Sequence, residues 1–398
     1  MIRQVLVMSK SKIFYLANEK DVSKLPVVGQ SCDDVLNTQA LAFTSVLSRH
    51  LLNDKFKMQS EIVALGFWLR KSNLAKQFTS ASVGTTKPIG LVVHYTPANV
   101  DTMFVYSWIC SLVMGNCNVI RLNSTLSALQ NFLLEAIFDV LSKPEFDELA
   151  LSNIFVQYDR NNEVVANSLS QLADGRVLWG GDESVLSIRR LPIKPRCRDI
   201  SFADRYSASL IDGDELSKED IQKIAEGFYR DLHPFEQQAC SSPKIVFWLG
   251  EKEHFDSFFI EVDSLFKEKP AITLKNEQLI TQQSLALTNR VESCDVYNTL
   301  SVVTVNAQFP LDINIHTGNF TLWVVPISQL TDLERYVDEK LQTLTYAGIA
   351  QEKLIKFLMK PSIKGIDRVV PIGNALAFSQ IWDGYGLTNQ LTRRIEVQ

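Results

Sequence analysis

Cys240 stands in HPFEQQACSSPKIVFWLG, residues 233–250, among small polar residues and directly before an apolar run that reads as a buried strand. A lone thiol there is either a small core residue, the commoner case, or a nucleophile that works as its thiolate. Gln237, Gln238, Ser241 and Ser242 are polar where a core position more often has apolar flanks. His233, upstream in an HPF turn, is a weak basis for a Cys/His dyad. No Ser/His/Asp ordering and no metal-ligand cluster stands out elsewhere.

Two other stretches could handle a ligand. In LWGGDESVLSIRR, Gly180 and Gly181 close a strand and Asp182 opens a helix, so free N–H groups at the helix start could face a phosphate. A Gly-Gly pair in that place is more often a tight strand-to-helix turn, and the full G-x-G-x-x-G pattern is absent. In HYTPANVDTMFVYSWICSLVMGNCNVIRLNS, residues 94–124, Asn99 sits where a strand gives way to a helix. It either caps that helix or points its amide into a cleft at the sheet's carboxyl edge. Gly115 reads as a helix C-cap. Lys244 needs no special purpose at a strand edge, with contact to a ligand phosphate as the alternative. Trp179 and Trp248 read as core aromatics, Trp382 as packing at a domain or subunit seam, and Arg393 and Arg394 as a solvated basic pair.

The elements that must position these residues alternate. IGLVVHY, CNVIRLN, NIFVQY and RVLWGG read as strands separated by apolar-periodic helices, and SASLID, KIVFWLG, TLSVVTVN, FTLWVVPI and RVVPIG continue the pattern, with DLERYVDEKLQTL expected as a helix. Residues 1–30 read as an irregular or β-rich opening, and Asp33 to Phe78 as one or two introductory helices. Such alternation predicts an α/β protein built on parallel sheets. The length of 398 residues suits two domains, with a boundary expected at the charged stretch GDELSKED: residues 1–212, 213–372, and a C-terminal tail 373–398 at a domain or subunit interface.

Composition narrows the partners. A formal net charge of -5 gives no broad positive field, so nucleic acid and anionic membrane are poor partners. The six cysteines are dispersed, with no C-x-x-C pair, which fits reduced thiols rather than a zinc knuckle or a disulfide framework. The longest apolar block, MFVYSWICSLVM, is too short to span a bilayer, and the N-terminus lacks a secretory signal, so a cytoplasmic enzyme is expected.

The segments GLVVHYTPANV, SWICSLVMGNCNVIRLNS, VLWGGDESV, RDISFADRYSASLID, QQACSSPKIVF and VPIGNALAFSQIWDGYGLTNQLTR together resemble the LuxC-type acyl-CoA reductase family, the fatty acid reductase branch of the aldehyde dehydrogenase superfamily. The resemblance implies an aldehyde-dehydrogenase-like fold, with an NADPH-binding and a catalytic Rossmann-like domain. It places Cys240 where the superfamily keeps its nucleophile, Asn99 where an amide holds the thioester oxyanion, and Arg121 in place of the usual lysine at the adenosine ribose. Gly180 and Gly181 fall near the pyrophosphate. Hydrolytic relatives carry a glutamate base where this chain reads DISFADRYSASLI, which suits an enzyme that keeps water off its thioester. Ser124 stands where NAD-preferring relatives tend to have an acid, so Arg121 and Ser124 favour the 2'-phosphate of NADPH. The implied reaction reduces a fatty acyl thioester, acyl-CoA or acyl-carrier, to the aldehyde. The alternatives are a short-chain CoA-acylating aldehyde dehydrogenase and a non-reducing acyl-accepting partner of an acyl-protein synthetase. The implied partners are an acyl-protein synthetase or thioesterase and further copies of the chain.

Overall fold

The computed structural model describes residues 13–26, 32–53, 59–79, 85–97, 99–287, 290–306 and 311–398. They form two compact units, one running to Ala203 and taking up Phe378–Gln398, the other Asp204–Ala377. Of the expected opening, residues 1–12 and 27–30 lie outside the described residues. The rest carries a short strand, β1 (Phe14–Tyr15), and the helix Glu19–Ser23, closed at its start by an Asn18–Asp21 capping box.

The first unit holds β1, β2 (Thr85–Pro88), β3 (Leu91–Tyr95), β4 (Cys117–Arg121), β5 (Asn153–Gln157), β6 (Gly175–Trp179) and β7 (Arg198–Phe202). Six of these make a parallel sheet in the order β1-β5-β4-β3-β6-β7. The strands are apolar on both faces because helices cover both: Val92, Ile120 and Phe155 face one core, Val93, Val119 and Ile154 the other. The helix Met103–Val113 is buried almost all round and stops at Gly115. There Asn116 N–H donates to Ser111 O and Gly115 N–H to Leu112 O, the paired bonds of a glycine-terminated helix. Gly115 takes φ +80, and a Cβ on it would fall 2.5 Å from the Asp33 carbonyl oxygen, so both backbone shape and space demand glycine. Among the described residues the introductory segment forms three helices, Thr38–Leu51, Ser60–Trp68 and Lys71–Thr79, where one or two were expected.

The second unit holds β8 (Tyr206–Asp212), β9 (Pro243–Leu249), β10 (Val291–Val296), β11 (Ser301–Val305), β12 (Thr321–Pro326), β13 (Leu341–Ala347) and β14 (Arg368–Pro371). Their order is β10-β11-β12-β9-β8-β13-β14, parallel except for the antiparallel edge strand β10. Because β8 is hydrogen-bonded between β9 and β13, the chain divides at Ala203/Asp204 and not at Gly213; GDELSKED merely joins β8 to the helix Lys218–Leu232.

DLERYVDEKLQTL is not one helix. Leu330–Tyr336 is a 3-10 turn, and the Asp338 carboxylate then accepts the N–H groups of Lys340 and Leu341, turning the chain into β13. The pairing of β13 with both β8 and β14 outweighs the local helical pattern.

The expected tail splits. Residues 373–377 stay with the second unit, while Phe378, Trp382, Leu387 and Leu391 are buried in the first unit's core. After a small hairpin, β15 (Ile381–Trp382) and β16 (Tyr385–Gly386), the strand β17 (Thr392–Ile395) pairs antiparallel with β2. Trp382 is thus a core residue, its ring 4.7 Å from that of Phe378. Trp179 and Trp248 are buried as expected, and Arg393 and Arg394 are exposed.

Candidate functional site

In the first sheet β3 lies between β4 and β6, and the order of connection reverses beside it, which opens a crevice at the carboxyl ends of these strands. Asn99, Arg121, Ser124, Gly180 and Gly181 all follow or end β3, β4 or β6 at that edge. Cross-strand bonds fix the loops there: Thr96 Oγ1 donates to Arg121 O at 2.8 Å, Asn123 Nδ2 donates to Pro97 O at 3.3 Å, and Ser127 Oγ donates to the Asp101 carboxylate at 2.7 Å. Asn99 is exposed and is not the helix cap; the N-cap of Met103–Val113 is Thr102.

Arg121 ends β4 with its guanidinium 5.0 Å from the centre of the Tyr158 ring, and its buried Nε makes no hydrogen bond among the described residues. Ser124 is exposed in the following bend, and the loop from Leu122 to Ser127 contains no acid. Gly180 N–H donates to Phe202 O, and Gly181 is the N-cap of Asp182–Arg189 with no side-chain cap and nothing within 4 Å of where its Cβ would be. That helix start is open, although Asp182 and Glu183 in its first turn share the positive end of the helix with any anion.

Beneath this edge runs a buried polar chain that the strand patterns alone do not announce. Trp179 Nε1 donates to Ser107 Oγ at 3.0 Å, and Ser107 Oγ lies 2.8 Å from His94 Nδ1. His94 Nε2 lies 3.0 Å from Asn118 Oδ1, and Asn118 Nδ2 and Trp108 Nε1 both donate to Asn153 Oδ1 at 2.7 Å. Asn118 Oδ1 can only accept, which puts the imidazole proton on Nε2 and leaves Nδ1 to accept the Ser107 hydroxyl proton. The signal for this network is a polar residue inside each of LVVHY, CNVIR and NIFVQ.

Burial pushes His94 down to about 4. Its unfolded value is higher, so as pH falls from about 6.5 to 4 the unfolded chain takes up a proton that the folded chain refuses. Stability is therefore intact above that window and falls through it by about 3 kcal/mol. Denaturant titrations at pH 7 and pH 4.5 should show this loss, and a smaller one in His94→Gln; equal losses would remove His94 as the cause.

In the second unit Cys240 lies between a 3-10 turn, Pro234–Gln237, and β9. Phe235, Glu236 and Gln237 all take positive φ, 59, 49 and 63. Three successive non-glycine residues in that region are strained and persist only where the surroundings hold them. Both glutamines of QQACSSP do the holding. Gln237, fully buried, donates from Nε2 to Pro243 O and to Thr321 O, each at 2.8 Å, and Gln238 Nε2 donates to Thr317 O at 3.0 Å. Ser242 N–H donates to Ala239 O, and Ser207 Oγ donates to Cys240 O at 2.8 Å. Ser241 and Ser242 are buried while Cys240 remains partly exposed. His233 ends the preceding helix with its ring against Tyr229 and Phe266.

Lys244 gains an interest that its place at a strand edge did not suggest. Pro243 pairs with Ser207 and Ile245 with Ala208, so Lys244 is the extra residue of a bulge, a device that re-aims a side chain. Burial lowers its pKa, and the groups that pull the other way are Asp204 and Cys240. His316, buried against Trp323 with Nδ1 accepting from Gly318 N–H, is pushed down to about 3 by burial and by Lys244. The carboxylates of DISFADRYSASLI are engaged: Asp199 takes both a 2.7 and a 2.6 Å bond from Arg176, and Asp204 lies 3.6 Å from Lys340 Nζ.

A family model described as acyl-CoA reductase (LuxC) matches residues 16–394. Similar curated proteins include a long-chain acyl-protein thioester reductase of Aliivibrio fischeri, 24% identical over 305 residues (72% of this chain, 59% of the relative). Another, of Photorhabdus luminescens, is 25% identical over 294 residues (72% and 58%). The chain spans about three fifths of the length of these relatives. Similar solved structures include aldehyde dehydrogenase 21 of Physcomitrella patens in complex with succinate, at TM-score 0.68 and 8% identity over 95% of this chain and 90% of that one. Glyceraldehyde-3-phosphate dehydrogenase GapN of Methanocaldococcus jannaschii, complexed with NADP, gives TM-score 0.64 and 10% identity over 98% and 92%. These likenesses show the aldehyde dehydrogenase fold, which the resemblance of the sequence to the family implied.

Proposed function

Since the chain belongs to the LuxC acyl-CoA reductase family, we propose that it reduces a fatty acyl thioester, carried on coenzyme A or on a protein, to the aldehyde by way of an acyl-enzyme on Cys240. The observation that carries this reading is the Cys240 turn, a strained, partly exposed thiol loop held by two glutamines beside a bulged lysine. In this reading the first unit binds NADPH and the second carries the thiol.

Cys240 attacks the thioester carbonyl as thiolate, since the neutral thiol is a poor nucleophile, and Lys244 supplies the positive charge that favours that form. A backbone N–H at the Cys240 turn holds the oxyanion, a donor of this kind lowering the barrier by roughly 3 kcal/mol, and the family resemblance gives the Asn99 amide the same part. The acceptor thiol leaves and Cys240 keeps the acyl group. Arg121 and Ser124 would hold the 2'-phosphate of NADPH, with Gly180 and Gly181 near its pyrophosphate, and the buried Nε of Arg121 without a partner fits a phosphate oxygen. Bound there, NADPH supplies the hydride that converts the acyl group to the aldehyde level. Collapse of the resulting hemithioacetal restores the thiolate. Water competes poorly, because the segment where hydrolytic relatives keep a glutamate offers only Asp199 and Asp204, both facing cations.

The test is intact-protein mass spectrometry after incubation with a series of acyl-CoAs and no NADPH, with peptide mapping of any adduct. An acyl adduct on Cys240 that NADPH discharges is expected; an adduct confined to another residue would end the proposal. Lys244→Gln should slow alkylation of Cys240 by iodoacetamide at pH 7 roughly tenfold and move its pH profile upward, with Lys244→Arg close to the unsubstituted protein. Superposable profiles for Lys244→Gln and the parent would remove the lysine from the scheme.

A further inference from the structure

At the amino edge of the first sheet two more thiols meet. Cys32 Sγ lies 3.4 Å from Cys117 Sγ and 3.3 Å from the carbonyl oxygen of Gly90. Cys117 opens β4, and its own N–H donates to that same Gly90 carbonyl. Cys32 is held there by the chain that follows it: Asp33 N–H donates to Gly115 O at 2.9 Å, and Leu36 N–H donates to Val113 O at 2.7 Å. These bonds lay residues 33–36 over the end of the Met103–Val113 helix, where the bare Cα of Gly115 lets the Asp33 carbonyl approach. The proximity of the two sulfurs is therefore fixed by backbone bonds on both sides and not by the thiols themselves.

We propose that Cys32 and Cys117 form an oxidisable dithiol, a modification site for peroxides. The two members differ in the way such a pair requires. Cys32 is partly exposed and Cys117 buried, so the oxidant reaches Cys32 first and finds the second thiol already behind it. The contact with Cys117 holds Cys32 down to about 7, against its partial burial and the facing carboxylates of Asp174 and Asp33, while the same contact and burial push Cys117 upward. Asp174 is itself paired with Lys194 at 2.7 Å. In the reaction the Cys32 thiolate attacks one oxygen of the peroxide, the O–O bond breaks and Cys32 becomes a sulfenic acid. Cys117 then attacks that sulfur, the S–O bond breaks with loss of water, and the S–S bond closes. Two thiols and one hydrogen peroxide give one disulfide and two waters, the two electrons passing to the peroxide. The product ties the residues that lead into the Thr38–Leu51 helix to the start of β4.

The experiment treats the full chain with stoichiometric hydrogen peroxide, blocks remaining thiols with N-ethylmaleimide and maps the unreduced digest. A Cys32–Cys117 cross-linked peptide is expected, lost on addition of dithiothreitol and absent from Cys32→Ser, whose far-ultraviolet circular dichroism matches that of the parent. Cys32 recovered as sulfinic or sulfonic acid with Cys117 alkylated, or either cysteine linked elsewhere, overturns the proposal. The parent protein alone decides the matter if Cys32→Ser folds poorly. The outcome is independent of whether Cys240 carries acyl groups, since the two sites are read on different peptides.

Discussion

Cys240→Ala is expected to leave the protein folded, to take up no acyl group from tetradecanoyl-CoA, and to oxidise NADPH at less than about a thousandth of the parent rate in its presence. The chemical part of the expectation is severe because in the proposed reaction the sulfur is both the bond-forming atom and the group that holds the acyl chain between the two half-reactions. The structural part is mild. The bonds that hold the turn run through the Gln237 and Gln238 side chains and through the Cys240 carbonyl, which accepts from Ser207, and alanine keeps every one of them. Cys240 is partly exposed, so truncation opens no closed cavity, and a stability change within about 1 kcal/mol should follow. Retention of an acyl adduct or of NADPH oxidation by Cys240→Ala, with its melting transition unchanged, would show that another group does the chemistry.

The elements that carry the fold were legible where burial is two-sided or periodic. LVVHY, CNVIR, NIFVQ and GRVLW are short apolar runs between turn residues, and each is a parallel strand. Gly115 and the helix before it were equally plain. The helix Ile272–Ala286 was not, because its buried face is mixed: Gln278, Thr281 and Gln282 are buried beside Leu274 and Leu285, while Ile272, Leu279 and Ile280 are exposed. Gln278 is inside because it donates to Thr299 O and Asn319 O, and Gln282 because it donates to Ser301 Oγ. A polar helix face that serves the ends of strands far away in sequence leaves no apolar period to read. The same holds for β13, whose threonines Thr343 and Thr345 lie in a central strand, Thr345 bonded to Ser209.

At the candidate site, the family resemblance marked Cys240, Asn99, Arg121 and the glycine pair, but not what holds them. The strained run at 235–237 depends on side-chain bonds to Thr321 and Thr317, which are remote in the chain, and the bulge that re-aims Lys244 depends on the register between β8 and β9. Neither is a local property. The boundary between the units was misjudged for a related reason: a charged stretch marks a surface turn, and only the pairing of β8 decides to which sheet that turn belongs.

Arg121→Ala is expected to weaken NADPH binding about ten- to a hundredfold while changing NADH binding little, measured as two dissociation constants by fluorescence titration against the parent protein. The two cofactors differ only in the 2'-phosphate, so a selective loss isolates the contact. Arg121 is suited to it on three counts. It ends β4 next to the strand at which the sheet order reverses. Its backbone is fixed by Thr96 and its guanidinium is stacked on Tyr158, so little freedom remains to be lost on binding. Its buried Nε has no acceptor, and such a donor gains more from a phosphate oxygen than an exposed one that surrenders water. A charge-assisted bond of about 1.5 to 3 kcal/mol accounts for the range given. Arg121→Lys should fall between the two, since an ammonium keeps the charge but not the planar fork. Equal weakening of NADPH and NADH by Arg121→Ala would instead make the residue a support for the crevice wall and leave the 2'-phosphate without its proposed partner.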